Sequence, residues 1–187
     1  MERFKEKLET IIDFDLKEII ESWSVNHIKN LERKYEIKLP KDYSFYLQHY
    51  GNAYIREGYC FIPSKDLSNN TKQAQFEIDS IYGLYNDENN IEDKINFYKE
   101  LLPENLIPIA DLPGGELVCI GTKDDKLNKI YFWFHEMDGE NVYLVSDSFE
   151  SFIMNFKKVD VEKNNLENVN LNISDKLNTF LNNASKK

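Results

Sequence analysis

The sequence predicts an α+β fold: a central, mostly antiparallel sheet with helices packed on one side. Three observations point there. Apolar residues recur at helical spacing through the first fifty positions, short β-branched and aromatic runs separated by turn residues fill 106–145, and a last helical stripe begins near 147. The chain has 187 residues, 41% of them hydrophobic, with twelve Phe and eleven Tyr, which is enough large apolar surface to bury a core and too much for a disordered chain.

In chain order, Phe4, Leu8, Ile11, Ile12, Leu16, Ile19 and Ile20 lie at near-helical spacing within 2–22. They predict one helix, or two broken near Asp13-Phe14-Asp15, with Trp23 packing at the entrance to the next. From Ser24 to Tyr54 two helices follow, joined by a Leu-Pro corner. Val25, Ile28, Leu31 and Tyr35 line the first; Tyr43, Tyr46, Leu47 and Tyr50 line the second. Pro40 has no N–H to donate and suits a first helical position, so the second helix is expected to start there. Gly51-Asn52 closes it, since glycine takes the left-handed conformation without strain.

Tyr54–Pro63 reads as a strand or a hairpin turning at Gly58, 64–75 as a polar loop, and Phe76–Tyr85 as a short strand. Asn86–Asp93 reads as an exposed acidic loop leading into a short helix through Ile95, Phe97, Tyr98, Leu101 and Leu102, which Pro103 stops. Strands are expected at Leu106–Ala110, Leu117–Ile120, Ile130–His135 and Val142–Val145, with turns at Pro113-Gly114-Gly115, 122–128 and 137–141. Ile130–Phe134 is apolar on both faces. It is therefore expected to run centrally, covered by helices on one side and by chain or partner on the other. Asp147 is placed to cap a final helix carrying Phe149, Phe152, Ile153 and Phe156, with Glu150 reaching back. Beyond it, Ser174, Leu177, Phe180 and Leu181 suggest a short docked turn in an Asn-rich stretch.

The run I-x-x-L-E-x-x-x-x-I-x-L-P-x-D-Y-x-x-x-L-x-x-Y-G-N resembles the signature of the SMI1/KNR4 (SUKH) family. It is carried by Ile28, Leu31, Glu32, Ile37, Leu39, Pro40, Asp42, Tyr43, Leu47, Tyr50, Gly51 and Asn52. YLVSDSFESFI resembles the family's second signature, and IPIADLPGGELVCI and IYFWFHE its central strands. The resemblance implies a SUKH-like domain at 23–158; it does not reach the helical extension read at 1–22 or the Asn-rich extension at 159–187. Many members have Asn-Gly where this chain has Gly51-Asn52; both residues tolerate positive φ, so the turn survives the exchange.

No catalytic constellation emerges. His27, His49 and His135 lack metal-ligand spacing, and the first two sit near helix ends, where surface or capping roles are expected. His135-Glu136 is the most site-like pair, a base and an acid with no matching nucleophile. Ser146 and Ser148 are not in a nucleophile elbow. The acids Asp87, Glu88, Glu92 and Asp93 lack the glycine and distal glutamate of a calcium loop, and Pro113-Gly114-Gly115 precedes no phosphate-binding helix. Cys60 and Cys119 form no CxxC pair and are expected to be buried free thiols. No cofactor or metal is expected.

Charge is more informative. The net charge is −10, and it is concentrated: residues 1–50 carry −1, whereas 77–150 carry five bases against seventeen acids, or −12. Such a field repels phosphate backbones and anionic lipid, and draws in basic protein surfaces. No apolar run has membrane-spanning length and the N-terminus lacks an apolar signal region, so the cytoplasm is the expected location. The family resemblance implies a bacterial immunity protein that binds and occludes a cognate protein toxin, often a nuclease; fungal relatives act instead as regulatory or scaffold interaction proteins. Asp87, Glu88, Asp124, Asp125, Glu136 and Asp138 are the candidate steering acids, since they fall in predicted turns or strand ends, with Tyr54 and Tyr85 as candidate anchors. An enzyme using His135 and Glu136 is a third reading.

Overall fold

The computed structural model describes residues 1–13, 24–63, 74–137 and 141–159. Helix α1 (Glu2–Ile11) buries Phe4, Leu8 and Ile11 as its spacing requires, and Ile12 then leaves it in an extended conformation. The rest of the expected N-terminal stripe, with Trp23, lies outside the described residues, as do Asp138 and the docked turn around Ser174. Helix α2 (Val25–Tyr35) opens at Ser24, whose backbone N–H donates to His27 Nδ1 at 3.2 Å, so His27 is a capping residue. It ends at Glu36, left-handed with φ 54°. The corner to α3 (Lys41–His49) is pinned by Glu32, whose Oε1 accepts the Leu39 N–H at 2.8 Å. Pro40 is the residue before the helix rather than its first turn. Its extended backbone leaves its carbonyl to accept the Ser44 N–H at 2.8 Å.

A six-stranded antiparallel sheet forms from β1 (Ala53–Tyr54), β4 (Ser80–Ile81), β5 (Leu106–Leu112), β6 (Glu116–Gly121), β7 (Ile130–Trp133) and β8 (Val142–Ser146), adjacent in that order. A second sheet takes β3 (Phe76–Glu77), β2 (Tyr59–Phe61) and β9 (Phe156–Lys158). Between β4 and β5 runs α4 (Ile91–Tyr98), and between β8 and β9 α5 (Phe149–Met154).

The chain does turn at Gly58, with φ 79°, but Tyr54–Pro63 is not a hairpin. β1 pairs with β4 while β2 pairs with β3 and β9, so the turn carries the chain from one sheet to the other. Phe156 likewise leaves the last helix and starts β9. The cap of α5 is Ser148, one residue beyond the expected Asp147, and its Oγ accepts the Ser151 N–H at 3.0 Å. That register puts Glu150 in the first turn, where its N–H donates to Asp42 Oδ2 of α3 at 2.7 Å.

One face of the large sheet holds the main core. Phe149 packs edge-on against Tyr43 with ring centres 4.9 Å apart, and against Phe4 at 6.2 Å, which brings α1, α3 and α5 together. Phe61 and Phe76 meet Phe132 at 5.6 and 4.7 Å, so the small sheet covers the same side. As expected, all four residues of β7 are buried. The strand lies one in from the edge, however, with β8 outside it. Ile130 and Phe132 point into the main core, and Tyr131 and Trp133 into a second, smaller cluster on the opposite face.

Candidate partner-binding surface

The acidic turn after β4 is built from inside. Asn52, 8% exposed, accepts the Tyr85 N–H on Oδ1 at 3.3 Å, and its Nδ2 donates to Asp87 Oδ1. Asp87 Oδ1 also accepts the Asn89 N–H at 2.7 Å, and Asn90 Nδ2 donates to the Tyr85 carbonyl at 2.7 Å. Asn90 then caps α4 by accepting the N–H groups of Glu92 and Asp93. The side chain at position 52 thus ties the end of α3 to the start of α4. Asp87 is engaged in that tie, and Tyr85 lays its ring against Gly51, where φ is +60° and a Cβ would collide with it. Glu88 remains exposed, and Tyr54 is half-buried on β1, opposite Ser80 of β4.

The other acids sit at the two ends of β7. Asp124 and Asp125 belong to a short 3-10 turn (Asp124–Lys126) joining β6 to β7. Asp124 has φ 51° and accepts from Asn105 Nδ2 at 3.1 Å; Asp125 is exposed. At the opposite end, past Trp133, His135 donates its backbone N–H to Glu116 Oε2 at 2.8 Å. Its ring lies 3.3 Å from that carboxylate through Nδ1 and 3.7 Å from Glu136 through Nε2. The eight sequence candidates therefore divide: Tyr85, Asp87 and Glu88 share the turn after β4, Asp124 and Asp125 flank one end of β7 and Glu136 the other, Tyr54 lies on β1, and Asp138 is outside the described residues.

Between those ends lies the outer face of the sheet, which the sequence reading did not single out as a site. Tyr131 pairs across to Leu144 and Trp133 to Val142. Leu117 and Cys119 of β6 and Leu106 of β5 complete the cluster, and Tyr98, the last residue of α4, and Leu102 in the turn after it pack on it. The ring of Tyr98 meets Trp133 edge-on at 6.3 Å. Burial pushes the Tyr98 hydroxyl pKa up, and the Asp111 carboxylate adds to the rise. Burial does the same to Tyr131, with Asp125 and Asp147 adding to it, so these acids lie within electrostatic reach of the cluster. The alternation in IYFW was the available signal, since strict period two sends residues 131 and 133 to one face. A groove of about 210 Å³, lined in part by Tyr35, Tyr98, Leu102 and Pro108, borders the cluster.

Among the described residues no cluster of His, Cys, Asp or Glu is arranged to hold a metal ion, and no helix is long and apolar enough to cross a membrane. Cys60 and Cys119 are free and buried, and burial pushes both thiols up, away from the reactive thiolate. What the surface offers is shape, aromatic area and negative charge.

Comparison with known proteins agrees with the signature. The model of the SMI1 / KNR4 family (SUKH-1) matches residues 23–155. The SPbeta prophage-derived uncharacterized protein YokK of Bacillus subtilis (strain 168) is 31% identical over 147 residues, covering 72% of this chain and 75% of the relative.

Proposed function

The chain belongs to the SMI1/KNR4 family (SUKH-1), and from that premise we propose that it is an immunity protein that binds a cognate protein toxin and occludes its working face. Family membership over residues 23–155 is the observation that carries this reading. Proteins of the family act as immunity proteins that bind toxins, and such a role asks for a surface rather than a reaction centre.

The charge distribution supports the same reading. Seventeen acids against five bases between 77 and 150 give a field that attracts a basic surface, such as the substrate-binding face of a nuclease. The mechanism is stoichiometric: electrostatics speeds the encounter, and buried apolar contacts set how long the complex lasts. Asp124, Asp125 and Glu136 are the steering acids best placed for this, being in turns at the ends of β7, with Glu88 exposed in the turn after β4. Asp87 contributes charge but holds its own loop together.

The test is co-expression with the product of an adjacent toxin-like reading frame, scoring survival and recovery of a one-to-one complex. Rescue with a complex is the expected result. Intoxication without rescue, and no complex on the column, would overturn the immunity reading and favour a regulatory scaffold.

A further inference from the structure

We draw no further inference here: the strongest candidate, the groove between the end of α2, the end of α4 and the first residues of β5, is rimmed by the exposed Lys99, Lys123 and Glu104, a mixed set of charges that selects no partner, and nothing in the structure shows what covers it.

Discussion

Replacing Asn52 with alanine tests whether the turn after α3 is held from inside. The substitution leaves the Tyr85 N–H without its acceptor at 3.3 Å and removes the donor to the Asp87 carboxylate. A neutral hydrogen bond contributes about 1 kcal/mol net and one to a charged group about 1.5–3 kcal/mol, so a loss of roughly 3 kcal/mol is expected. For a chain of this size that corresponds to a drop in Tm of about 6–12 °C. Asn52→Asp, nearly equal in shape, sets a second carboxylate against Asp87. Mutual repulsion raises the folded-state pKa of the pair, so the folded protein then binds more protons than the unfolded chain. Its deficit against wild type should therefore be largest at neutral pH and shrink as pH falls through the carboxylate range. Thermal melts followed by circular dichroism between pH 4 and 8 measure both effects. An alanine variant within 1 °C of wild type, or an aspartate variant whose deficit does not change with pH, would refute this account of the turn.

Two further outcomes concern the core and the sheet. Burial holds Tyr43 and Tyr46 far above the usual tyrosine range and pushes Tyr50 up to about 12, while an unfolded tyrosine titrates near 10. Folded protein thus keeps protons that the unfolded chain releases, so stability is unaffected below about pH 10 and falls above it. Three such groups remove about 4 kcal/mol per pH unit. Tyrosinate absorbance for these groups should appear in one step together with loss of the circular dichroism signal; gradual titration in a protein that stays folded would show them to be accessible. Gly121→Ala drives a Cβ into the backbone carbonyl of Lys126 in the turn between β6 and β7, where no flexible side chain can yield. A loss of at least about 1–3 kcal/mol is expected from overpacking, read as the denaturation midpoint in urea.

Where local pattern decides structure, the sequence was readable. The stripes of α2 and α3, the Gly51 close and the double-sided burial of β7 all follow from spacing within a dozen residues. The misreadings share a different cause. Gly58 marks a turn correctly, but which strands pair across it is settled by β9, roughly a hundred residues later. Asp87 sits in NDENN, which reads as an exposed loop and is one, but its tie to Asn52 was not legible because that residue lies 35 positions earlier. The cap of α5 moved by one residue because Ser148 and Asp147 are both competent caps, and the chosen register lets Asp42 of α3 take the Glu150 N–H. The outer-face cluster was half legible: IYFW announced a second buried face without saying that Tyr98 of α4 and Leu102 in the turn after it would reach it.

The residues of the family signature work mainly inside the fold. Glu32 holds the Leu39 N–H at the α2–α3 corner, and Asp42 holds the first turn of α5. Tyr43 and Tyr46 donate their hydroxyls to the carbonyls of Tyr82 and Ile81, fixing α3 to β4 and the residue after it. Gly51 gives Tyr85 room to close over the turn. These groups point inward and join the helices to the sheet, so a partner protein has little of the signature to touch. On the immunity reading, recognition then falls to residues outside the signature, with Glu88, Asp124, Asp125 and Glu136 as the candidates. A change at Glu32 or Asp42 should accordingly lower stability first and binding only through it. On the same immunity reading, changes at Asp125 or Glu136 should instead alter binding in a protein that melts as wild type does.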